Sequence, residues 1–322
     1  SIKGWLKAAV NAFQLSAFRA RNREAMGGKC CTDRKDPVPD GRHGSIKGGV
    51  KTERKSLHSG NTYDNKKRAI SIGYQSKGND AEKFDKAFET NDLKAFVSLL
   101  ESQQRIESFE ERMHPWAEDP KTVGALAGTQ LAILASVAEK DNPSVKDDIR
   151  RAGAIGPLVG FLTSDQQDRV QTAVVALSFL TAECPENARA TYEAGATLAL
   201  LKHLDSDVAG MRAAAATTLR NICMESNEYR QEFITLGGLK GLVSQLSTPP
   251  DPALNHADVQ LEAVLNLQDM IETEDGSVIG EYAKAAIQAG AIEKLKHLTQ
   301  ADDEEVRSSA EEVLTSLSKV DR

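Results

Sequence analysis

From about Asp80 almost to the C-terminus, apolar residues recur at intervals of three and four, the spacing of helices that bury one face. Residues 26–79 lack any such period. Gly, Ser, Lys, Arg, Asp and Asn predominate there, and apolar residues such as Val50, Leu57 and Ile70 are scattered. Such a segment cannot bury enough apolar surface to offset its ordering entropy, so a flexible, disordered tail is expected ahead of a folded body over 80–322. Residues 1–25 follow a third pattern: Ile2, Trp5, Leu6, Ala9, Phe13 and Ala17 share one helical face, with Lys3, Lys7, Arg19, Arg21 and Arg23 around it. Two readings stay open for this leader, an amphipathic membrane-surface or targeting helix and an extension ahead of a start at Met26.

The folded body repeats itself. Arg151-Ala-Gly-Ala-Ile-Gly-Pro-Leu-Val, Glu193-Ala-Gly-Ala-Thr-Leu-Ala-Leu-Leu and Thr235-Leu-Gly-Gly-Leu-Lys-Gly-Leu-Val align on Gly153, Gly195 and Gly237, spaced 42 and 42. Gln288-Ala-Gly-Ala-Ile-Glu-Lys-Leu places Gly290 a further 53 along. The surplus falls in Thr248-Pro-Pro-Asp-Pro and in Glu272–Gly280. Each unit reads as a short helix stopped at the glycine, a second helix, an Asp/Ser turn, and a longer third helix such as Met211–Met224. Three helices in about 42 residues is the armadillo pattern: an all-α, right-handed superhelix whose third helices line a concave groove. Five units are expected, at about 80–140, 141–182, 183–224, 225–271 and 272–319, with an insertion at Glu101–Asp119 in the first.

Armadillo proteins hold extended peptides through a third-helix Asn, because one side-chain amide can pair both the N–H and C=O of a bound backbone. The matching positions here are Ser136, Phe179, Asn221, Asn266 and Ser316. With Asn at two of the five, the ladder is incomplete, and these residues read either as a groove tuned to one partner or as ties in the helix stack. Nuclear-import adaptors of this fold add a tryptophan one turn earlier, where this chain has Val175, Thr217 and Glu262. A receptor for basic nuclear signals is therefore not expected.

Composition narrows the chemistry. Aromatic residues are 5% of the chain and no run approaches the ~20 apolar residues of a membrane-spanning helix. Its 4 cysteines form no disulfide framework, which suits a reducing compartment. His43, His58, His114, His203, His256 and His297 are dispersed without metal-ligand spacing, and no phosphate-binding or dinucleotide glycine motif occurs. Neither an enzyme nor a cofactor or metal site is expected, and Cys184 and Cys223 read as packing thiols. Net charge is -7, but residues 1–80 hold 17 Lys and Arg against 7 Asp and Glu, leaving 23 against 40 for the body. An acidic body and a basic tail without interleaved aromatics are poorly suited to nucleic acid.

One short motif points to membranes. In Met26-Gly27-Gly28-Lys29-Cys30-Cys31, removal of an initiating Met26 would give Gly27 the free amine that N-myristoylation needs, although Cys31 stands where the motif usually has Ser or Thr. Cys30 and Cys31 sit where palmitoylation commonly follows. One myristoyl chain binds a bilayer only marginally, with K of about 10⁴ M⁻¹, so the second signal matters. Lys29, Arg34 and Lys35, with Lys47, Lys51, Arg54 and Lys55 beyond, add attraction to anionic lipid of up to ~1 kcal/mol each near the surface.

This combination resembles the armadillo-repeats-only proteins of apicomplexan parasites. The likeness runs from about Gly27 to the C-terminus and is most specific in Met113–Leu126, Asp168–Leu180 and Gly210–Ile222. The resemblance implies acylation at Gly27, Cys30 and Cys31 and a place on the cytosolic face of the rhoptry membrane. It further implies a role in positioning that organelle through a myosin motor, an armadillo-interacting protein and an adenylate cyclase. Two other readings are a vacuole-type armadillo tether and an armadillo nucleotide-exchange cofactor of a heat-shock chaperone; the latter proteins lack the lipid motif.

Overall fold

The computed structural model describes residues 74–75, 79–106, 108–109, 119–141, 144–250, 254–273 and 275–320. Among these residues, five sets of three helices follow in order. The first is α1 (Asn79–Thr90), α2 (Leu93–Leu99) and α3 (Val123–Asp141); the second is α4 (Val145–Arg151), α5 (Ile155–Phe161) and α6 (Gln167–Thr181). The third is α7 (Pro185–Glu193), α8 (Ala196–His203) and α9 (Ala209–Met224), and the fourth is α10 (Asn227–Thr235), α11 (Gly238–Gln245) and α12 (His256–Ile271). The last is α13 (Gly280–Gln288), α14 (Ala291–Leu298) and α15 (Glu304–Ser318). The leader, the lipid motif and most of the expected tail lie outside the described residues.

Local chemistry sets the helix ends. Pro185 opens α7, while Ser226, Asn255 and Asp303 cap α10, α12 and α15 by accepting backbone N–H bonds with their side chains. The repeat glycines turn the chain between first and second helices: Gly153, Gly195, Gly237 and Gly290 have φ of 91°, 81°, 84° and 89°. In the first unit Asn91, with φ 53°, makes this turn, as the amide side chain tolerates left-handed backbone better than most. That is why the glycine alignment begins only at the second unit.

The third helices form a spine in which α3, α6, α9, α12 and α15 pack successively. On α9, Ala213, Ala214, Ala215 and Ala216 are all buried, so neighbouring helices approach closely without large side chains. This explains a core poor in aromatic residues. At the N-terminal end the space is filled instead by Phe84, Phe88 and Phe96, with ring centroids 5.4 Å apart for Phe84–Phe96.

The insertion of the first unit leaves and returns through a zipped neck. Ile106 N–H donates to the Lys121 carbonyl (3.0 Å) and Val123 N–H to that of Gln104 (2.9 Å). Farther out, β2 (Ser108–Phe109) pairs antiparallel with β1 (Tyr74–Gln75), a two-residue ladder that the sequence pattern did not predict. The tip with Trp116 lies outside the described residues. The extra residues after α12 fold back on themselves: Thr273 N–H donates to the Ser277 carbonyl (2.9 Å), Ile279 N–H to that of Ile271 (2.8 Å), and Gly276 has φ 79°. This small hairpin absorbs part of the lengthened spacing without disturbing the stack.

Candidate partner groove

The five groove positions lie on α3, α6, α9, α12 and α15, and differ in what they offer. Ser136 is half-buried and its hydroxyl donates to the Ile133 carbonyl of its own helix (2.8 Å). Phe179 is half-buried and packs against the core. Asn221 is 9% exposed, Asn266 2% and Ser316 6%.

A polar seam joins the spine helices where these residues sit. The hydroxyls of Thr129 and Thr172 meet at 3.3 Å between α3 and α6. Asn221 Nδ2 donates to Thr181 Oγ1 (3.0 Å), tying α9 to α6, and Thr181 in turn donates to the Leu177 carbonyl (2.8 Å). Between α9 and α12, Thr217 donates to Glu262 Oε1 (2.6 Å) and Arg220 pairs with Asp269. Arg220 also donates to Asn221 Oδ1 (3.2 Å). Thr217 and Glu262 occupy two of the positions where tryptophans would stand in a nuclear-signal receptor. Their mutual bond fills the space between the helices with a polar link in place of an aromatic shelf.

Asn266 differs from Asn221. Its Nδ2 makes no hydrogen bond of normal geometry, although the amide lies near enough to Glu262 to favour that carboxyl's ionised form slightly. Burial works the other way and dominates, raising the Glu262 carboxyl above the usual range, while the Thr217 hydroxyl and the Arg220 charge only partly offset it. Asp258, one turn before Glu262, is also raised, first by burial and then by the charges of Asp303 and Glu305 on the next unit. Thus Asp258, Glu262, Asn266 and Asp269 form one stripe along α12, at intervals of four, four and three.

Two residues with a structural task were missed as such in the sequence. Asp168 and Arg169 at the start of α6 are 1% and 5% exposed. Asp168 Oδ2 accepts from Lys121 N–H (2.8 Å), and Arg169 donates to the Ser102 carbonyl while its guanidinium lies 4.6 Å from the Phe161 ring centroid. Together they pin the insertion neck to the second unit. The available signal was two adjacent charges at the head of an otherwise uncharged third helix. Gly124 allows this approach, because a Cβ there would meet the Leu100 carbonyl oxygen at 2.4 Å and that of Ser102 at 2.6 Å.

Cys223 is buried and Cys184 half-buried, and burial raises both thiols, as for packing cysteines. Gly27, Lys29, Cys30, Cys31, Arg34 and Lys35 lie outside the described residues. Among those that are described, no helix is long and apolar enough to cross a membrane.

A family model, the Armadillo/beta-catenin-like repeat, matches residues 184–224, the third unit. A solved structure of ARO (armadillo repeats only protein) from Plasmodium falciparum is 40% identical, covering 76% of this chain and 99% of its own, with a TM-score of 0.68. The chain belongs to the armadillo-repeats-only family. Its five-unit spine is thus an armadillo protein-binding scaffold. A designed armadillo repeat protein in complex with the peptide (KR)4 is 26% identical over 75% of this chain and 87% of its own, with a TM-score of 0.55. Importin subunit alpha-6 of Arabidopsis thaliana is 24% identical over 69% of this chain, and importin subunit alpha-1b of Oryza sativa subsp. japonica 26% over 67%. This armadillo-repeats-only chain spans about two fifths of those importins, 39% and 38%.

Proposed function

We propose that this chain is a non-enzymatic, membrane-anchored armadillo scaffold that positions an organelle, the rhoptry by its family, by holding motor and signalling proteins in its groove. The observation that carries the reading is the 40% identity to the Plasmodium protein across nearly all of that structure. Met26-Gly27-Gly28-Lys29-Cys30-Cys31 supports the anchor. In this reading a myristoyl group on Gly27 and palmitoyl groups on Cys30 and Cys31 hold the N-terminus at the cytosolic face of the membrane. The basic residues Lys29, Arg34 and Lys35 add electrostatic attraction. The tail gives reach, and the third-helix seam presents side chains to a partner peptide. By resemblance the partners are a myosin motor, an armadillo-interacting protein and an adenylate cyclase. No step of bond chemistry is assigned to the protein.

The test is the N-terminal residue and its mass on protein from the native cell, with membrane fractionation of Gly27→Ala and Cys30→Ser/Cys31→Ser. Myristoyl-Gly27 is expected, and each change should move the protein to the soluble fraction. An unacylated native chain, or variants that stay with the organelle, would overturn the anchor.

A further inference from the structure

The first helices of the third and fourth units carry an aromatic and apolar surface that the stack itself does not account for. Tyr192 of α7 lies on Tyr229 of α10, with ring centroids 3.6 Å apart and planes 20° from parallel, and both are only half-buried. Along α10, Glu228, Glu232 and Leu236 recur at intervals of four beside Tyr229, so one face offers carboxylates, an aromatic ring and an aliphatic side chain together. Leu236 N–H donates to the Glu232 carbonyl (2.9 Å), which keeps it in helical register. Among the described residues, the large apolar side chains that stand open to solvent are Leu236, 45% exposed, and Leu198, 58% exposed. Leu198 lies in the first turn of α8, just past the Gly195 turn that ends α7.

The repeat does not require these side chains. Leu236 precedes its turn glycine where Ala152, Ala194 and Ala289 stand in other units, and Leu198 follows its glycine where Gly156, Lys240 and Glu293 stand. The fold thus accepts small or charged residues at both places. Charge says what suits the surface. The Tyr192 hydroxyl bonds to Glu232, and its phenol is pushed up to about 12, first by that bond, then by slight burial and the charges of Glu232 and Glu228. Among the described residues, Glu193, Glu228 and Glu232 have no cationic partner. The cations of the same two helices are engaged elsewhere: Arg189 lies 3.9 Å from Glu225, and Arg230 is buried with its guanidinium 5.9 Å from the Tyr282 ring centroid.

We propose that this first-helix face docks a basic amphipathic helix of a partner protein, whose aliphatic side chains cover Leu198 and Leu236 and whose arginines lie against the tyrosine pair and Glu228. Apolar meets apolar, a guanidinium finds an aromatic face, and free carboxylates receive its N–H groups. A helix suits the face better than a strand does. The backbone groups of α7 and α10 are paired within their own helices, so an extended segment finds no ladder to join and contact is left to side chains. A helix brings apolar and basic residues to one side at intervals of three and four, the spacing that α10 itself presents. The docking does not depend on the groove: the face belongs to first helices, the groove to third helices, and the scaffold holds a partner on each.

The test uses the full chain and, as probe, a labelled peptide of about 18 residues of alanine, leucine and arginine with its leucines on one helical face. An isomer with the leucines spread around the helix is the control. By fluorescence anisotropy the probe should bind the unaltered chain at least about tenfold more tightly than the isomer does, and at least about tenfold more tightly than it binds a Leu198→Ser/Leu236→Ser chain. Glu228→Gln/Glu232→Gln should weaken binding and flatten its salt dependence. Both leucines are exposed, so serine there should leave the urea midpoint unchanged. Equal affinities for the two chains or for the two peptides would overturn the docking. An Asn221→Ala/Asn266→Ala chain should keep probe affinity within about twofold; a larger loss assigns the probe to the groove and overturns it. In the native cell, Leu236→benzoylphenylalanine should photolink to a partner segment with apolar residues at intervals of three and four and an excess of Lys and Arg. Links only to another copy of this chain, or to segments without that pattern, would overturn it too. Pull-down of groove partners by the Asn variants reads the scaffold function separately, so the two readings fail independently.

Discussion

Replacing Asn221 and Asn266 separately with alanine distinguishes a structural seam from a binding one, because the structure gives the two amides different surroundings. Asn221 Nδ2 donates to Thr181, and its Oδ1 accepts from Arg220. After Asn221→Ala no fully buried donor is orphaned: Thr181 still donates to Leu177, and Arg220, whose Nη1 loses Asn221, is half-buried and keeps Asp269 through Nε. The expected loss is therefore that of ordinary hydrogen bonding, about 1 kcal/mol, without the larger penalty of an unsatisfied buried donor. Asn266→Ala removes a donor that already lacks a partner of normal geometry, so its stability cost is expected to be about 0–1 kcal/mol. Binding should respond in the opposite sense. Losing an amide that pairs a bound backbone costs about 1–3 kcal/mol, roughly five- to 150-fold in affinity. Urea unfolding followed by far-UV circular dichroism gives the stability term, and quantitative pull-down of a partner gives the other. A stable Asn266→Ala chain with weakened recruitment supports the groove. A loss above about 2 kcal/mol for Asn266→Ala would mean that its amide is a structural tie, and undiminished recruitment by both variants would refute groove binding.

Two further outcomes test the spine. Burial raises the Glu262 carboxyl, so the folded state holds that proton more tightly than the unfolded chain does. Its contribution is fully present below the ordinary carboxylate pKa and is lost as pH rises through the higher folded value. Glu262→Gln should therefore be more stable than the unaltered chain near neutral pH, with the gap closing in acid; a gap independent of pH in unfolding experiments would contradict this. Arg169→Met should cost about 2–3 kcal/mol by removing a charged donor from Ser102. It should also speed amide exchange at Lys121 and Val123, and exchange confined to other units would show that Arg169 does not hold the neck.

The repeat was legible because its punctuation is backbone chemistry. A glycine at positive φ every 42 residues and apolar positions at helical spacing follow from constraints within each unit. Asn91 escaped that reading because an asparagine can make the same turn without matching the glycine alignment. The groove positions were placed by register alone, but register could not say that Asn221 is tied to Thr181 while the Asn266 amide lies buried beside Glu262. Nor could it reveal that Thr217 and Glu262, 45 residues apart, bond each other. Asp168 and Arg169 likewise acquire their task only when the neck of an insertion more than forty residues earlier comes to lie against α6.

The sequence by itself determined the unit, its length, the number of units and the opposition of a basic tail to an acidic body. Each of these is set by local backbone preference, side-chain period or formal charge. Tertiary structure decided which polar side chains are satisfied, what holds the neck of the first unit's insertion, and which acids of α12 are bonded to the neighbouring unit. Those outcomes depend on contacts between neighbouring units, whose geometry arises only when five similar sets of helices stack on a shared alanine-rich spine.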